Sequence, residues 1–243
     1  VIYYFNEQDQ QLEELETSVN GNIASAKTNH FSTYILINRK VFEESKIWID
    51  EWDSQGYSGV EVVLVIDDSG SMTQNDGNNK RLKVAQNLIE NLPSNSKVGV
   101  VKFASYTTAL TPTVTSDKEV AKNYLTPAYF RSSGGTYMYN AISSAFSLFE
   151  TTDDTILKMI VVLSDGETSD TGKHTSVIAT ANNNGVKVYT VGLGNSSSRY
   201  FTRYLKPLAN NTAGTFYLAS NANQLEDIYN DINLSLIHIS EPT

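Results

Sequence analysis

The sequence predicts an α/β fold, in which a doubly wound, mostly parallel sheet is flanked by helices and preceded by a partial β-rich segment. From residue 57 onwards, short runs rich in Val and Ile are apolar on both faces, which is typical of central strands covered by helices on both sides. Amphipathic helical patterns separate these runs, and such alternation implies right-handed crossovers. The predicted strands are VEVVLVI, SKVGVVKF, LKMIVVLS, VKVYTVGLG and TFYLAS.

The predicted helices lie between these strands. RLKVAQNLIENL carries an apolar stripe and stops at Pro93, DKEVAKNYL begins near the capping residue Asp117, and TSVIATANNNG ends at Asn184 and Gly185. Further helices are predicted in YNAISSAFSLFE, SRYFTRYLKPLA and NQLEDIYNDIN. YTTALTP follows the second strand too closely for a helical crossover, so we expect an antiparallel edge strand there.

The first part of the chain predicts strands without a helix. VIYYF and QLEELET flank the polar turn NEQDQ, and Asn20 with Gly21 is a strong hairpin signal. Since so few strands close little core, we interpret residues 1–38 as trailing strands of a truncated β-rich domain. The charged residues 39–56, with Trp48 and Trp52, predict a linker, and residues 57–233 form the predicted α/β domain.

The last ten residues, 234–243, depart from this pattern. LSLIHISEPT is apolar where the preceding helix is polar, and its back-translation resembles an adaptor used in short-read sequencing libraries. We interpret this segment as an adaptor-derived tail, and His238 therefore has no predicted role. The alternative interpretation is a genuine final strand.

Composition excludes several classes of function. The chain of 243 residues has no cysteine, which excludes disulfides, thiolate metal sites and cysteine nucleophiles and fits an exported protein. Its formal net charge of −9 argues against a nucleic-acid partner, because a surface that follows phosphates needs clustered Lys and Arg. No apolar stretch approaches the length that spans a bilayer, so we expect no membrane insertion in this fragment.

Side chains with hard oxygen atoms follow the ends of the predicted strands. D-x-S-x-S after the first strand supplies Asp67, Ser69 and Ser71, LSDGE supplies Asp165, and Thr136 stands behind two glycines ahead of a helix. In open α/β sheets, ligands bind outside the carboxyl ends of the strands. Two carboxylates and three hydroxyls without sulfur or imidazole predict a site for a hard divalent cation, Mg²⁺ or alternatively Mn²⁺ or Ca²⁺.

These residues resemble the von Willebrand factor type A (vWA) domain, which has a Rossmann-like fold. Its metal-ion-dependent adhesion site (MIDAS) consists of D-x-S-x-S, a distant Thr and a distant Asp. The resemblance implies that Ser69, Ser71 and Thr136 are direct hydroxyl ligands, and that Asp67 and Asp165 bind directly or through water. It also implies that the ion receives an acidic residue of a protein partner, and that the last helix can move with metal binding.

We therefore expect a metal-dependent, adhesion-type protein-binding module without catalytic residues, from a bacterial surface-type protein located extracellularly or at the cell surface. The upstream β segment resembles modules that precede vWA domains in large bacterial surface proteins. One alternative is a metal-dependent phosphoryl hydrolase with Asp67 as nucleophile, although Ser69 stands where such enzymes usually have a second Asp. Another is an intracellular vWA scaffold that serves an ATPase or a chelatase.

Several other polar residues have no predicted role in binding. Asp68 is not required by the motif, and it could be an acceptor behind the ligands, part of a second metal site, or a capping group, which is the interpretation we favour. TQNDGNNK lacks the residue order of a calcium loop and predicts a metal-free loop. The remaining polar residues without a predicted role are His30, His174, Asp153 and Asp154.

Overall fold

The computed structural model describes residues 2–6, 11–21, 23–28, 34–36, 57–193 and 199–219. The chain divides into two compact units, one of residues Gln55–Asp227 and one of Val1–Ser54 with Ile228–Thr243. The predicted linker with its two tryptophans, the predicted last helix at 223–233 and the predicted tail at 234–243 lie outside the described residues.

The smaller unit contains only strands among its described residues. Three of them form an antiparallel sheet with β1 in the centre: β1 (Ile2–Asn6), β2 (Gln11–Leu15) and β5 (Tyr34–Leu36). The other two, β3 (Thr17–Asn20) and β4 (Ile23–Ala26), pair as a hairpin. Gly21 in the hairpin turn has φ +59°, a conformation that glycine adopts without strain. The hairpin predicted from Asn20 and Gly21 is confirmed.

The larger unit is built on a six-stranded sheet with the order β11-β10-β9-β6-β7-β8. Its strands are β6 (Gly59–Asp67), β7 (Ser96–Phe103), β8 (Thr107–Ala109), β9 (Ile156–Ser164), β10 (Val186–Leu193) and β11 (Phe216–Ala219). All neighbouring strands pair in parallel except β8, which runs antiparallel to β7 at one edge. The predicted doubly wound, mostly parallel sheet and its antiparallel edge strand are therefore confirmed.

Helices connect these strands. They are α1 (Met72–Asn75), α2 (Lys80–Asn91), α3 (Lys118–Tyr124), α4 (Met138–Phe146), α5 (His174–Asn183) and α6 (Lys206–Asn210). A 3₁₀ turn at Thr171–Lys173 precedes α5, and a π-helical stretch at Phe201–Leu205 precedes α6. Helix α1 lies partly where TQNDGNNK predicts a loop. The loop prediction is wrong there, because the carbonyls of Ser69, Gly70 and Ser71 accept hydrogen bonds from the next turn.

Three helices begin or end where the sequence predicts. The carboxylate of Asp117 accepts hydrogen bonds from the backbone N–H groups of Glu119 and Val120 at the start of α3. Gly185 follows α5 with φ +62°, and α2 ends two residues before Pro93. These are the positions at which an acidic N-cap, a left-handed glycine and a proline satisfy or interrupt the helical hydrogen bonds.

The core lies on both faces of the central strand. Every residue of β6 is buried, and Val63 and Val65 belong to the same apolar cluster as Ile142 and Ala145 of α4. Successive side chains of a strand point to opposite faces, so an unbroken buried run means that both faces are covered. Glu61 and Asp67 are the charged residues in this strand, and the Glu61 carboxylate lies 3.5 Å from the ammonium group of Lys97 on β7.

The order of the strands defines where this sheet can hold a ligand. The chain passes from β6 to its neighbour β7 on one side and later returns to β9 on the other side of β6. This reversal opens a crevice at the carboxyl ends of β6 and β9, the place where open α/β sheets bind ligands. Asp67 is the last residue of β6, and Asp165 follows the last residue of β9.

Candidate metal centre

Asp67 forms the floor of the crevice. Its side chain is fully buried, and each of its two oxygens already accepts one hydrogen bond. Oδ1 accepts the backbone N–H of Ser69 at 2.8 Å, and Oδ2 accepts the hydroxyl of Ser164 at 2.6 Å. These two contacts fix the carboxylate in one orientation, and they come from the two segments that border the crevice.

The buried carboxyl group of Asp67 has a raised pKa and, among the described residues, no cationic partner. Burial, and after it the negative charge of Asp165, raise the pKa of Asp67 to about 7, while the hydrogen bonds from Ser164 and Ser69 act in the opposite direction. Among the described residues, no Lys or Arg forms an ion pair with Asp67 or Asp165. A cation in the crevice would supply the missing charge.

Ser69 and Ser71 lie beside this carboxylate. Their hydroxyl oxygens are 3.1 Å apart, with Ser69 buried and Ser71 half-buried. The chain turns into α1 here, since Met72 N–H donates to the carbonyl of Ser69 at 3.2 Å. The turn directs two hydroxyls into one small volume next to Asp67, as the D-x-S-x-S spacing predicts.

Thr136 belongs to a loop that is fastened to the D-x-S-x-S segment. The backbone N–H of Gly70 donates to the carbonyl of Gly134 at 3.0 Å, and that of Ser133 donates to the carbonyl of Asp68 at 2.8 Å. Gly134 has φ +84°, and a Cβ atom there would lie 2.7 Å from Ser105 Oγ, so glycine is needed on both counts. Thr136 itself is buried and immediately precedes the residue before α4.

Asp68 holds the same loop with its side chain. One carboxylate oxygen accepts the backbone N–H groups of Arg131 and Ser132 at 2.8 and 2.7 Å, and the other lies 3.3 Å from Lys102 Nζ. The carboxylate is thereby occupied by backbone donors and a cationic side chain. These contacts fit an acceptor behind the candidate ligands, because Asp68 holds the loop of Thr136 and its backbone partners Arg131 and Ser132 begin no helix.

Asp165 directly follows β9, whereas Ser69 and Ser71 follow β6 on the other side of the crevice. One oxygen accepts the side-chain amide of Asn75 at 3.0 Å, and the other accepts the backbone N–H of Glu167 at 3.4 Å. Gly166 next to it has φ +87°, and a Cβ there would lie 2.9 Å from the ring of Phe201. Through Asn75 at the end of α1, Asp165 is linked to the segment that carries Ser69 and Ser71.

The candidate ligands thus come from three segments that hydrogen bonds join to one another. Asp67, Ser69 and Ser71 share one corner, Asp165 acts electrostatically on Asp67, and the loop of Thr136 is bonded to the residues between Asp67 and Ser71. Among the described residues there is no group of three or more His, Asp or Glu side chains that could hold a metal. A cation here would therefore depend on hydroxyl ligands, and the set of carboxylates and hydroxyls fits a hard divalent ion.

Sequence reasoning missed several residues that shape this site. Ser164 directly precedes Asp165, and the hydroxyl next to the predicted ligand was the available signal for its bond to Asp67. No local pattern in the sequence pointed to Asn75, because it lies 90 residues from Asp165, to which its side-chain amide donates. His174, which had no predicted role, begins α5 and forms a 2.7 Å hydrogen bond with the hydroxyl of Tyr139, and burial lowers its pKa.

The family model of the von Willebrand factor type A domain matches residues 61–231. The chain belongs to the von Willebrand factor type A domain family. The match includes all five candidate ligands and, except for the first two residues of β6, the six-stranded sheet. Within this vWA domain, the D-x-S-x-S segment and Asp165 follow the strands β6 and β9 that border the crevice.

The chain is also similar to a bacterial protein and to a solved bacterial structure. An uncharacterized protein of Borreliella burgdorferi is 32% identical over 145 residues, which are 57% of this chain and 42% of the relative, so the chain spans less than half of that relative's length. The structure of an aerotolerance-related membrane protein from Bacteroides fragilis is 26% identical, covers 72% of this chain and 100% of its own, and has a TM-score of 0.56.

A more distant structural relative is the proximal thread matrix protein 1 of the mussel byssus, whose structure is described as having a zinc-occupied MIDAS motif. It is 19% identical, with a TM-score of 0.58, and the similarity covers 74% of this chain and 46% of the relative. At this identity the similarity shows a shared fold. In the part of the chain that the structure describes, no helix is both long enough and apolar enough to cross a membrane.

Proposed function

We propose that this vWA domain binds a divalent cation through Asp67, Ser69, Ser71, Thr136 and Asp165, and that the bound cation holds a carboxylate of a protein partner. The observation that carries the proposal is the buried pair Asp67 and Asp165, which has two serine hydroxyls beside it and no Lys or Arg paired with it among the described residues. Without a cation, such a pair of carboxylates is costly to bury.

The ligand chemistry supports an acidic partner. Hydroxyl ligands are neutral, so an ion held by Ser69, Ser71 and Thr136 retains more positive charge than an ion enclosed by carboxylates. When bound, the ion supplies a Lewis-acidic position for a further oxygen ligand, and a carboxylate is the side chain that fits this position best. Mg²⁺ is the ion we propose first, with Mn²⁺ and Ca²⁺ as alternatives, and the zinc in the mussel relative supports occupation by a divalent ion.

We propose a binding role and not catalysis by Asp67. Both oxygens of its carboxylate accept hydrogen bonds, and the side chain has no solvent exposure, so it is poorly placed to attack a phosphoryl group in line. Ser69 occupies the position where a phosphatase of the aspartyl type would have its second Asp.

The location that we propose for the parent protein is the cell envelope, with the domain outside the cell. The membrane-protein relative from Bacteroides fragilis and the absence of cysteine support this location. A bacterial adhesin-like protein would combine a vWA domain and an upstream β-rich segment in this way.

The test is a peptide array that presents Asp-containing peptides beside copies in which Asp is replaced by Asn, probed with the labelled 243-residue chain. We expect capture of Asp peptides in Mg²⁺, no capture of the Asn copies, and loss of capture in EDTA or with Asp67→Ala. Asp154→Ala, in an exposed turn at the opposite end of the sheet, is the matched control and keeps capture. Capture that survives both EDTA and Asp67→Ala would contradict the proposal.

A further inference from the structure

Helix α4, which follows Thr136, is capped by a segment far away in sequence. Its own N-cap residue, Tyr137, makes no side-chain capping hydrogen bond. The first N–H groups of the helix donate instead to the loop between β9 and α5: Met138 N–H to Thr168 Oγ1 at 3.2 Å, Tyr139 N–H to Asp170 Oδ1 at 3.3 Å and Asn140 N–H to Asp170 Oδ2 at 2.7 Å. Asp170 thus supplies the carboxylate that a helix N-terminus favours.

The capping loop is also fixed internally and to Thr136. The hydroxyl of Thr168 donates to Asp170 Oδ1 at 2.6 Å, which orients both capping side chains together. The backbone N–H of Ser169, between them, donates to the carbonyl of Thr136 at 2.8 Å. One short segment, 168–170, therefore binds both the backbone of a candidate ligand and the helix that follows it.

This segment begins three residues after Asp165, another candidate ligand. The distance between the Asp165 and Thr136 side chains consequently depends on how the 168–170 segment is fastened to the start of α4. Asp170 is itself no ligand, since its two oxygens accept three hydrogen bonds from protein donors. It acts on the site only through the backbone that it holds.

We propose that Asp170 is a positioning residue that sets the cation affinity of the site by locking the Thr136 segment to the Asp165 segment. The inference rests on the proposed function, because it concerns the same cation. Residues that orient metal ligands without touching the metal typically change metal affinity by about 10- to 100-fold when they are replaced. We expect Asp170 to belong to this class.

The test measures the affinity of the 243-residue chain for Mn²⁺ by isothermal titration calorimetry, with thermal unfolding of the cation-free protein in parallel. Asp170→Ala is expected to bind Mn²⁺ at least about tenfold more weakly than the wild type. The matched control is Asp117→Ala, which removes an equivalent carboxylate cap from α3, a helix that adjoins no candidate ligand. It is expected to lower the unfolding temperature similarly and to leave the Mn²⁺ affinity unchanged.

Two further variants separate positioning from general loss of structure. Asp170→Asn keeps one of the two oxygen acceptors for the helix and replaces the other with a donor, so it is expected to weaken Mn²⁺ binding less than Asp170→Ala does. Thr168→Val removes the hydroxyl that joins Met138 to Asp170 at nearly constant volume, and it is expected to weaken binding less than Asp170→Ala. Thr168→Val also decides the matter if Asp170→Ala does not fold.

The outcomes distinguish this inference from the proposed function. If the wild type binds Mn²⁺ and Asp170→Ala binds it equally well, or if Asp117→Ala loses as much affinity, the positioning role is overturned and the cation site stands. If Asp170→Ala does not fold, the Mn²⁺ affinity of Thr168→Val decides. An affinity equal to that of the wild type would then also overturn the positioning role. A wild-type chain that binds no Mn²⁺ overturns the proposed function, and the inference with it.

Discussion

Asp67 is a carboxyl group with no exposure to solvent, and the charge of Asp165 opposes its ionisation. Two hydrogen bonds nevertheless hold the Asp67 carboxyl group in this buried position, one from the backbone N–H of Ser69 and one from the hydroxyl of Ser164. An arrangement that keeps an acid buried against a second acid stores electrostatic repulsion, which a divalent cation relieves. The same arrangement makes the cation-free domain sensitive to pH.

In EDTA, we expect the free energy of unfolding to fall as the pH rises from about 4 to about 7, because the folded state binds the Asp67 proton more tightly than the unfolded state. The pKa is 3.8 in the unfolded reference and about 7 in the folded domain, so this contribution is fully present below the lower value and lost above the higher one. Over this range it amounts to a few kcal/mol at most.

The measurement is urea unfolding of the wild type and of Asp67→Asn at pH 5 and pH 8, each in EDTA. Asn does not titrate, so the difference in stability between the two proteins should change with pH by the contribution of Asp67 alone. A pH-independent difference would show that Asp67 titrates normally in the folded domain.

A buried ion pair joins helices α1 and α2 to the loop that leads to Thr136. On α2, the guanidinium of Arg81 is fully buried and lies 2.8 Å from the carboxylate of Asp76, which follows α1. The same carboxylate accepts the backbone N–H groups of Lys80 and Arg81, and a second guanidinium nitrogen donates to Ser132 Oγ at 2.9 Å. The pair thereby connects α1, α2 and the loop that leads to Thr136.

Breaking this pair by Arg81→Met should destabilise the domain by about 3 kcal/mol or more, because it leaves the charge of Asp76 buried without a partner. The double variant Asp76→Asn, Arg81→Met removes the charge as well and should lose less stability than the sum of the single variants. The measurement is urea unfolding of the three variants. Strictly additive losses would mean that Arg81 and Asp76 do not interact energetically.

Over the whole molecule, all five candidate ligands lie in the larger unit, Gln55–Asp227. We propose that residues 57–233 are the cation-binding domain and that residues 234–243 add nothing to it. A chain that ends at residue 233 should then have the same unfolding temperature and the same Mn²⁺ affinity as the 243-residue chain. A lower unfolding temperature in differential scanning calorimetry would show that the last ten residues belong to the fold.

The sheet and its candidate site could largely be predicted from the sequence, since both follow from local patterns. Buried strands such as SKVGVVKF are continuous apolar runs, and β7 has the bounds of that run. The D-x-S-x-S spacing, the glycines before Thr136 and the Asp after β9 are likewise local signals at strand ends. Parallel pairing then brings those strand ends together at one edge.

Contacts between distant segments could not be predicted in this way. The buried pair of Arg81 and Asp76 and the cap that Asp170 supplies to α4 depend on tertiary geometry, and the residue types alone are typical of exposed positions. Helix α1 was missed for a similar reason. It overlaps the Asn- and Gly-rich segment TQNDGNNK, which favours a loop, and its turn is held by the carbonyls of Ser69, Gly70 and Ser71. Local propensity is overridden where neighbouring segments supply the hydrogen bonds.

The most direct measurement of the site is an anomalous difference map from crystals of the chain grown in Mn²⁺. We predict one strong peak at the carboxyl ends of β6 and β9, at about 2.1 Å from the hydroxyl oxygens of Ser69, Ser71 and Thr136. Asp67 and Asp165 should lie within direct or water-mediated reach of the same peak. A map without a peak there, or a peak that Thr136 and Asp165 do not approach, would contradict the proposed cation site.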